Sequence, residues 1–111
     1  MNGIELIKAE RERQTNEEGW TAEHDSQHRN DELVGAAMYF TCPENFQVTI
    51  NRDRGAYQLV ALKLYPNIFF PCQWDKKWAK RDKKTRVEQL TIAGALIAAE
   101  IDRLLLLETS P

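Results

Sequence analysis

The sequence predicts a mainly α-helical fold, a small single domain closed by a long hydrophobic C-terminal helix, and three observations carry that prediction. Apolar residues recur at helical spacing in three separate stretches. Residues that cap or stop helices, such as Gly19, Asn30, Asp31, Pro43 and Thr85, fall between those stretches. The hydrophobic fraction of 42% in 111 residues suffices for one packed core and excludes a disordered chain. The whole chain, residues 1–111, is therefore read as one domain.

The first helix is expected from Ile4 to about Glu18. Ile4, Ile7, Arg11 and Gln14 recur at i, i+3, i+7 and i+10, and Gly19 supplies the C-terminal stop. Its stripe turns polar at Arg11 and Gln14 while staying on the inward side. Such residues are rim groups with packed stems, or they line a polar pocket. Residues 20–30 read as a polar connector with a short helix opening at Thr21. The second helix is expected from Glu32 to about Thr41, capped by Asn30 or Asp31, with Leu33, Ala36, Ala37 and Phe40 facing the core.

Residues 43–85 read as irregular or as a variable insert. Phe46, Val48 and Ile50 alternate with Gln47 and Thr49, a short β element around 46–50. Residues 51–55 look like a turn, and the i+3 spacing of Leu59 and Leu62 favours a helix over 56–65 rather than a second strand. Trp20, Trp74 and Trp78 are expected to be partly buried anchors for the connectors. The longest helix, about Arg86 to Glu108, is capped by Thr85. Val87, Leu90, Ala93, Gly94, Ile97, Ile101 and Leu104 form one apolar face, and Ile92, Ala95, Leu96, Ala99, Leu106 and Leu107 nearly cover another. A helix apolar on two sides needs cover on two sides, so at least a homodimer is expected, with the face around Leu96, Ala99 and Leu106 at its interface.

Composition narrows the functional classes. A net charge of −2 gives no support for general nucleic-acid or acidic-membrane binding. Cys42 and Cys72 lie outside any metal-ligand spacing and read as free thiols of a reducing cytoplasm. The start of the chain lacks the basic and apolar regions of a secretory leader, and no stretch reaches membrane-spanning length. The expected location is the cytoplasm.

Three constellations are candidate chemistry. His24, His28 and Glu32 stand at i, i+4 and i+8, one face of a continuous helix, where two imidazoles and a carboxylate could hold a divalent metal with Asp25 orienting them. The alternative is helix capping and local hydrogen bonding. Glu100, flanking the core face of the apolar last helix while Asp102 points away, must be paired or raise its pKa, and its candidate partners are Arg11 across the fold or Arg103 at i+3, the nearer choice. In residues 73–81, Trp74 and Trp78 are interleaved with lysines and arginine, a pattern that stacks on bases and holds phosphates or else clamps a loop to the core. Arg11, Gln14, His24, Asp25, His28, Glu32, Trp74, Trp78 and Glu100 are thus the candidate ligand-binding residues, with His24, His28 and Glu32 as the metal candidates.

The stretch from Gly3 to Gln14, the run Glu18-Gly19-Trp20-Thr21-Ala22-Glu23-His24-Asp25 with His28, and Glu32 to Tyr39 resemble a family of small phage and prophage proteins. Ala93 to Leu104 resembles that family's C-terminal helix, and Pro71, Trp74 and Trp78 fit as well. The family is mostly of unassigned function, so the resemblance implies a viral accessory role in a host cytoplasm. A fainter similarity is to the all-α MazG-type nucleotide pyrophosphohydrolases, which hold magnesium with E-x-x-E and E-x-x-D pairs. Glu32 matches one of those acids and Glu88 another, while Arg29 and Thr91 stand where their partners would be.

Two functions follow from these readings. The first is an accessory protein that acts by binding a host defence or replication protein, or a nucleotide-like signal, without cofactor or catalytic residues. The alternative is a nucleotide pyrophosphohydrolase dependent on magnesium or manganese.

Overall fold

The computed structural model describes residues 1–20, 31–51, 57–63, 65–72 and 74–109, with the backbone alone in 46–51 and 57–63. Among these residues the elements are α1 (Gly3–Glu17), α2 (Glu32–Thr41), a β-hairpin of β1 (Asn45–Asn51) and β2 (Tyr57–Lys63), three single 3₁₀ turns and α3 (Arg86–Thr109). The fold is mainly helical, as expected. Among the described residues no helix is long and apolar enough to cross a membrane.

Helix α1 starts with a capping box. The Asn2 side chain accepts from the Glu5 N–H at 2.9 Å, and the Glu5 carboxylate accepts from the Asn2 N–H at 3.3 Å. It ends at Gly19, whose φ of +72° turns the chain back so that the Trp20 N–H donates to the Gln14 carbonyl at 3.0 Å. Asp31 occupies the N-cap of α2 in the left-handed region, without the side-chain cap that the sequence suggests. At the other end of α2, cations come from far along the chain. Arg86 donates to the carbonyls of Phe40 at 3.3 Å and Thr41 at 2.6 Å, and Arg81 donates to that of Cys42. Guanidinium groups there satisfy open carbonyls and complement the negative end of the helix dipole.

The expected β element is present, lengthened to 45–51. The helix expected over 56–65 is instead strand β2, antiparallel to β1, with Asn45 opposite Lys63 and Val48 opposite Val60. Tyr57, Val60 and the leucines suit a pleated ladder, and once β1 offers hydrogen-bond partners that ladder outweighs a helical pattern resting on two leucines. The turn expected at 51–55 and the short helix opening at Thr21 lie outside the described residues.

The core forms where α2 crosses α3. Leu33, Ala36, Ala37 and Phe40 of α2 pack against Ala93, Leu96 and Ala99 of α3, and Tyr39 and Trp74 close the cluster. This largely exchanges the two faces expected of the last helix, although Ala93 of the face expected to be core does pack there and Leu107 of the other is exposed. The face around Leu96 and Ala99, expected at an oligomer interface, is the core, and Leu96 is 1% exposed. The face expected to be core is open: Val87, Leu90, Ile97, Ile101 and Leu104 all reach solvent. Small residues on both helices explain the choice, because alanine facing alanine lets two backbones approach closely while the bulkier Ile97 and Ile101 would hold them apart. Helix α1 packs along the edge of that open face at Gly94, where an added Cβ would lie 2.5 Å from Ile7 Cδ1.

Candidate binding cleft

A cleft of about 430 Å³ opens between α1, the first half of α3 and the turns that carry Trp74 and Trp78. Gln14, Phe40, Trp74 and Leu96, all buried, form its floor. Its aromatic wall comes from distant parts of the chain. The Trp20 ring centroid lies 5.5 Å from that of Trp74 and 5.2 Å from that of Trp78, with Trp74 and Trp78 5.4 Å apart. These tilted and edge-to-face contacts build a rigid apolar surface. Trp74 is core-like, while Trp20 and Trp78 are part-exposed and present area to the cleft.

Each piece has a local reason to be there. The turn at Gly19 carries Trp20 back over α1, and Arg11 Nη1 donates to the Trp20 carbonyl at 2.7 Å. Trp78 sits in a 3₁₀ turn (Lys76–Trp78) whose N-cap, Asp75, accepts from the Lys77 N–H at 3.0 Å. The spacing of Leu6, Glu10, Arg13 and Gln14 brings one side of α1 to the cleft.

Gln14 is the unusual member. It is 0% exposed, and its Oε1 has no hydrogen-bond partner among the described residues. Its Nε2 donates to Glu10 Oε2 at 3.1 Å, and Glu10 in turn accepts from Arg13 Nε at 2.8 Å and Nη2 at 2.9 Å. That relay sets the amide orientation, since a flipped amide would point its oxygen at a carboxylate. Hydrogen bonds from Arg13 to Glu10, opposed by burial, raise the Arg13 guanidinium further above its already high range, so the relay keeps its charge. A buried acceptor left unpaired costs about 1–3 kcal/mol, which a ligand N–H could recover. Around the mouth stand Glu18, Lys80, Lys84, Val87 and Glu88.

The candidate residues read from the sequence divide into three groups. Gln14, Trp74 and Trp78 meet in the cleft, and Arg11 positions it from behind while lying 3.7 Å from Asp102 of α3. Glu32 and Glu100 are instead buried near Arg103, whose Nε donates to Glu100 Oε1, so the i+3 partner holds Glu100. That hydrogen bond, with the nearby charges of Glu100, Asp31 and Glu32, raises the Arg103 guanidinium above its usual value against the opposing effect of burial. His24, Asp25 and His28 lie outside the described residues. Among the described residues no three His, Cys, Asp or Glu side chains are grouped to hold a metal. Glu88 belongs elsewhere, in a capping box with Thr85 at the start of α3, twelve residues and roughly 18 Å of helix from Glu100.

Sequence reading did not select Trp20, Phe40, Glu10 and Arg13 as site residues. The helical spacing of Leu6, Glu10, Arg13 and Gln14 was a usable signal for the α1 side. For Trp20 and Phe40 there was none, because their meeting depends on the Gly19 turn and on the α2–α3 crossing. Comparison with protein families, curated proteins and solved structures finds no match.

Proposed function

We propose that this chain is an accessory protein of the phage kind that acts by binding, that the tryptophan-lined cleft is where it binds, and that its ligand is nucleotide-like. The observation that carries this reading is the Gln14 Oε1 acceptor, buried, oriented by Glu10 and unpaired, at the floor of a cleft with aromatic walls. A heterocyclic ring stacks on Trp20 or Trp78 and, by displacing the side chains that cover Gln14, offers an N–H to that oxygen, while Lys80 and Lys84 at the mouth receive a phosphate. The cleft volume suits one small ligand. Self-association, through a face other than the one around Leu96, is the second part of this reading.

The test is a titration of intrinsic tryptophan fluorescence, supported by calorimetry, with the four ribonucleoside monophosphates and their cyclic forms. Quenching that saturates with at least one of them is expected. Gln14→Met, close in shape but without the amide, should weaken that binding about tenfold or more. No response to any of them would remove the nucleotide-like part of the reading.

The metal-dependent pyrophosphohydrolase is the second reading, and one observation favours it: Glu32 and Glu100 are both buried where α2 meets α3. Arg103 already stands beside them, however, and supplies the positive charge that magnesium would bring. The expected outcome is no magnesium-dependent release of pyrophosphate from nucleoside triphosphates. Robust release abolished by Glu32→Gln would establish the enzyme instead.

A further inference from the structure

The open face of α3 has a regular pattern. Val87, Leu90, Gly94, Ile97, Ile101 and Leu104 follow one another at alternating steps of three and four residues, the a and d positions of a heptad repeat. Five of the six are large and apolar, and they are between 44% and 62% exposed. At the sixth, Gly94, Ile7 of the same chain fills the notch. The result is a straight apolar seam roughly 26 Å long with no charged side chain along its line. A stripe repeating every 3.5 residues stays in register with a helix of the same repeat.

We infer that this seam is covered by the α3 seam of a second copy of the chain, running antiparallel to it. Two features of the seam select that occupant. The first is area: the exposed parts of these side chains, with Leu105, amount to roughly 500 Å² per copy, near the roughly 600 Å² per partner that marks the lower end of specific dimers and so suited to a reversible pair. The second is charge. Around the start of α3 Lys83, Lys84 and Arg86 outnumber Asp82 and Glu88, whereas its last two turns carry Asp102 and Glu108, with Arg103 buried against Glu100. Antiparallel pairing sets the basic end of one helix beside the acidic end of the other and opposes the two helix dipoles, whereas parallel pairing stacks like on like. The register that centres the pair matches Val87 with Leu104 and Leu90 with Ile101 of the second copy. The seam runs into the cleft, because Lys84 and Val87 line its mouth. The final turns of the second copy's α3 therefore pass along the cleft edge.

This inference rests on the self-association part of the reading above and not on the ligand, so it is tested with no ligand present. Sedimentation equilibrium on the full chain across the micromolar range should give twice the chain mass, and a monomer throughout that range overturns the proposal. Ile97→Glu, at a half-exposed site, should keep the helical circular dichroism and weaken association on the order of 100-fold. Folded Ile97→Glu dimerising as tightly as the wild type overturns it. Orientation is read by disulfide trapping in a background lacking Cys42 and Cys72. Leu90→Cys should cross-link to Ile101→Cys in a mixture of the two variants, and dominant self-cross-linking of Leu90→Cys overturns the antiparallel arrangement.

Discussion

Gln14 and Arg103 are both buried polar side chains, yet their surroundings give them opposite consequences. Gln14 carries an acceptor that no described residue satisfies, so replacing its amide by an apolar group of similar shape removes a desolvation cost. Gln14→Met should leave the thermal midpoint unchanged or raise it while lowering ligand affinity; a large loss of stability in that variant would make Gln14 a structural residue. Arg103 is satisfied, and the buried carboxylate of Glu100 is held by it. Arg103→Leu should destabilise the fold by about 3 kcal/mol in denaturant unfolding, because Glu100 is left as an unpaired buried charge. Replacing Glu100 by leucine in the same chain should recover much of that loss. The two outcomes were not equally legible in the sequence. The i+3 spacing announced the Glu100–Arg103 pair, whereas the orphaned oxygen of Gln14 arises only because Glu10 claims the other end of the amide.

Elements were readable to the extent that their signals were local. Helices α1, α2 and α3 begin and end within a residue or so of the bounds that caps and periodicity suggest, since Asn2, Gly19 and Thr85 act within one turn. Strand β2 was not readable, because what makes it a strand is a partner on β1. Nor was the inward face of α3, which was decided by alanines on a different helix. The start of α3 gives a prediction at this scale. Hydrogen bonds from Thr85 hold the Glu88 carboxyl below its ordinary value of 4.5. A depressed folded value means that this cap contributes above pH 4.5 and is lost as pH falls through the lower folded value. Hydrogen exchange of the first-turn amides of α3 should therefore quicken below about pH 4.5, and Glu88→Gln should flatten that response. Trp74 tests the aromatic wall as an element. Trp74→Ala should cost on the order of 3 kcal/mol, because it opens a cavity between the core and the connector turns. A cost near zero, with binding lost, would mark Trp74 as a ligand platform and not an anchor.

At the scale of the molecule, a small core between α2 and α3 carries two surfaces that it does not itself use, the cleft beside α1 and the seam along α3. The turn at Gly19, the Arg11 tether and the Glu10 relay all serve the cleft, and the first two also set Trp20 against the edge of the core. Half of this site was legible in advance. Gln14 stood out as a polar residue on an inward stripe, and Trp74 and Trp78 as aromatics among lysines, but only the folded chain brings the two groups together. The most direct measurement is the tryptophan fluorescence titration of wild type and Gln14→Met side by side. Saturable quenching of the wild type by a nucleotide, with affinity lower by about tenfold or more in a Gln14→Met variant of undiminished stability, is the result expected. Equal affinities in the two proteins, or no quenching by any member of the panel, would contradict it.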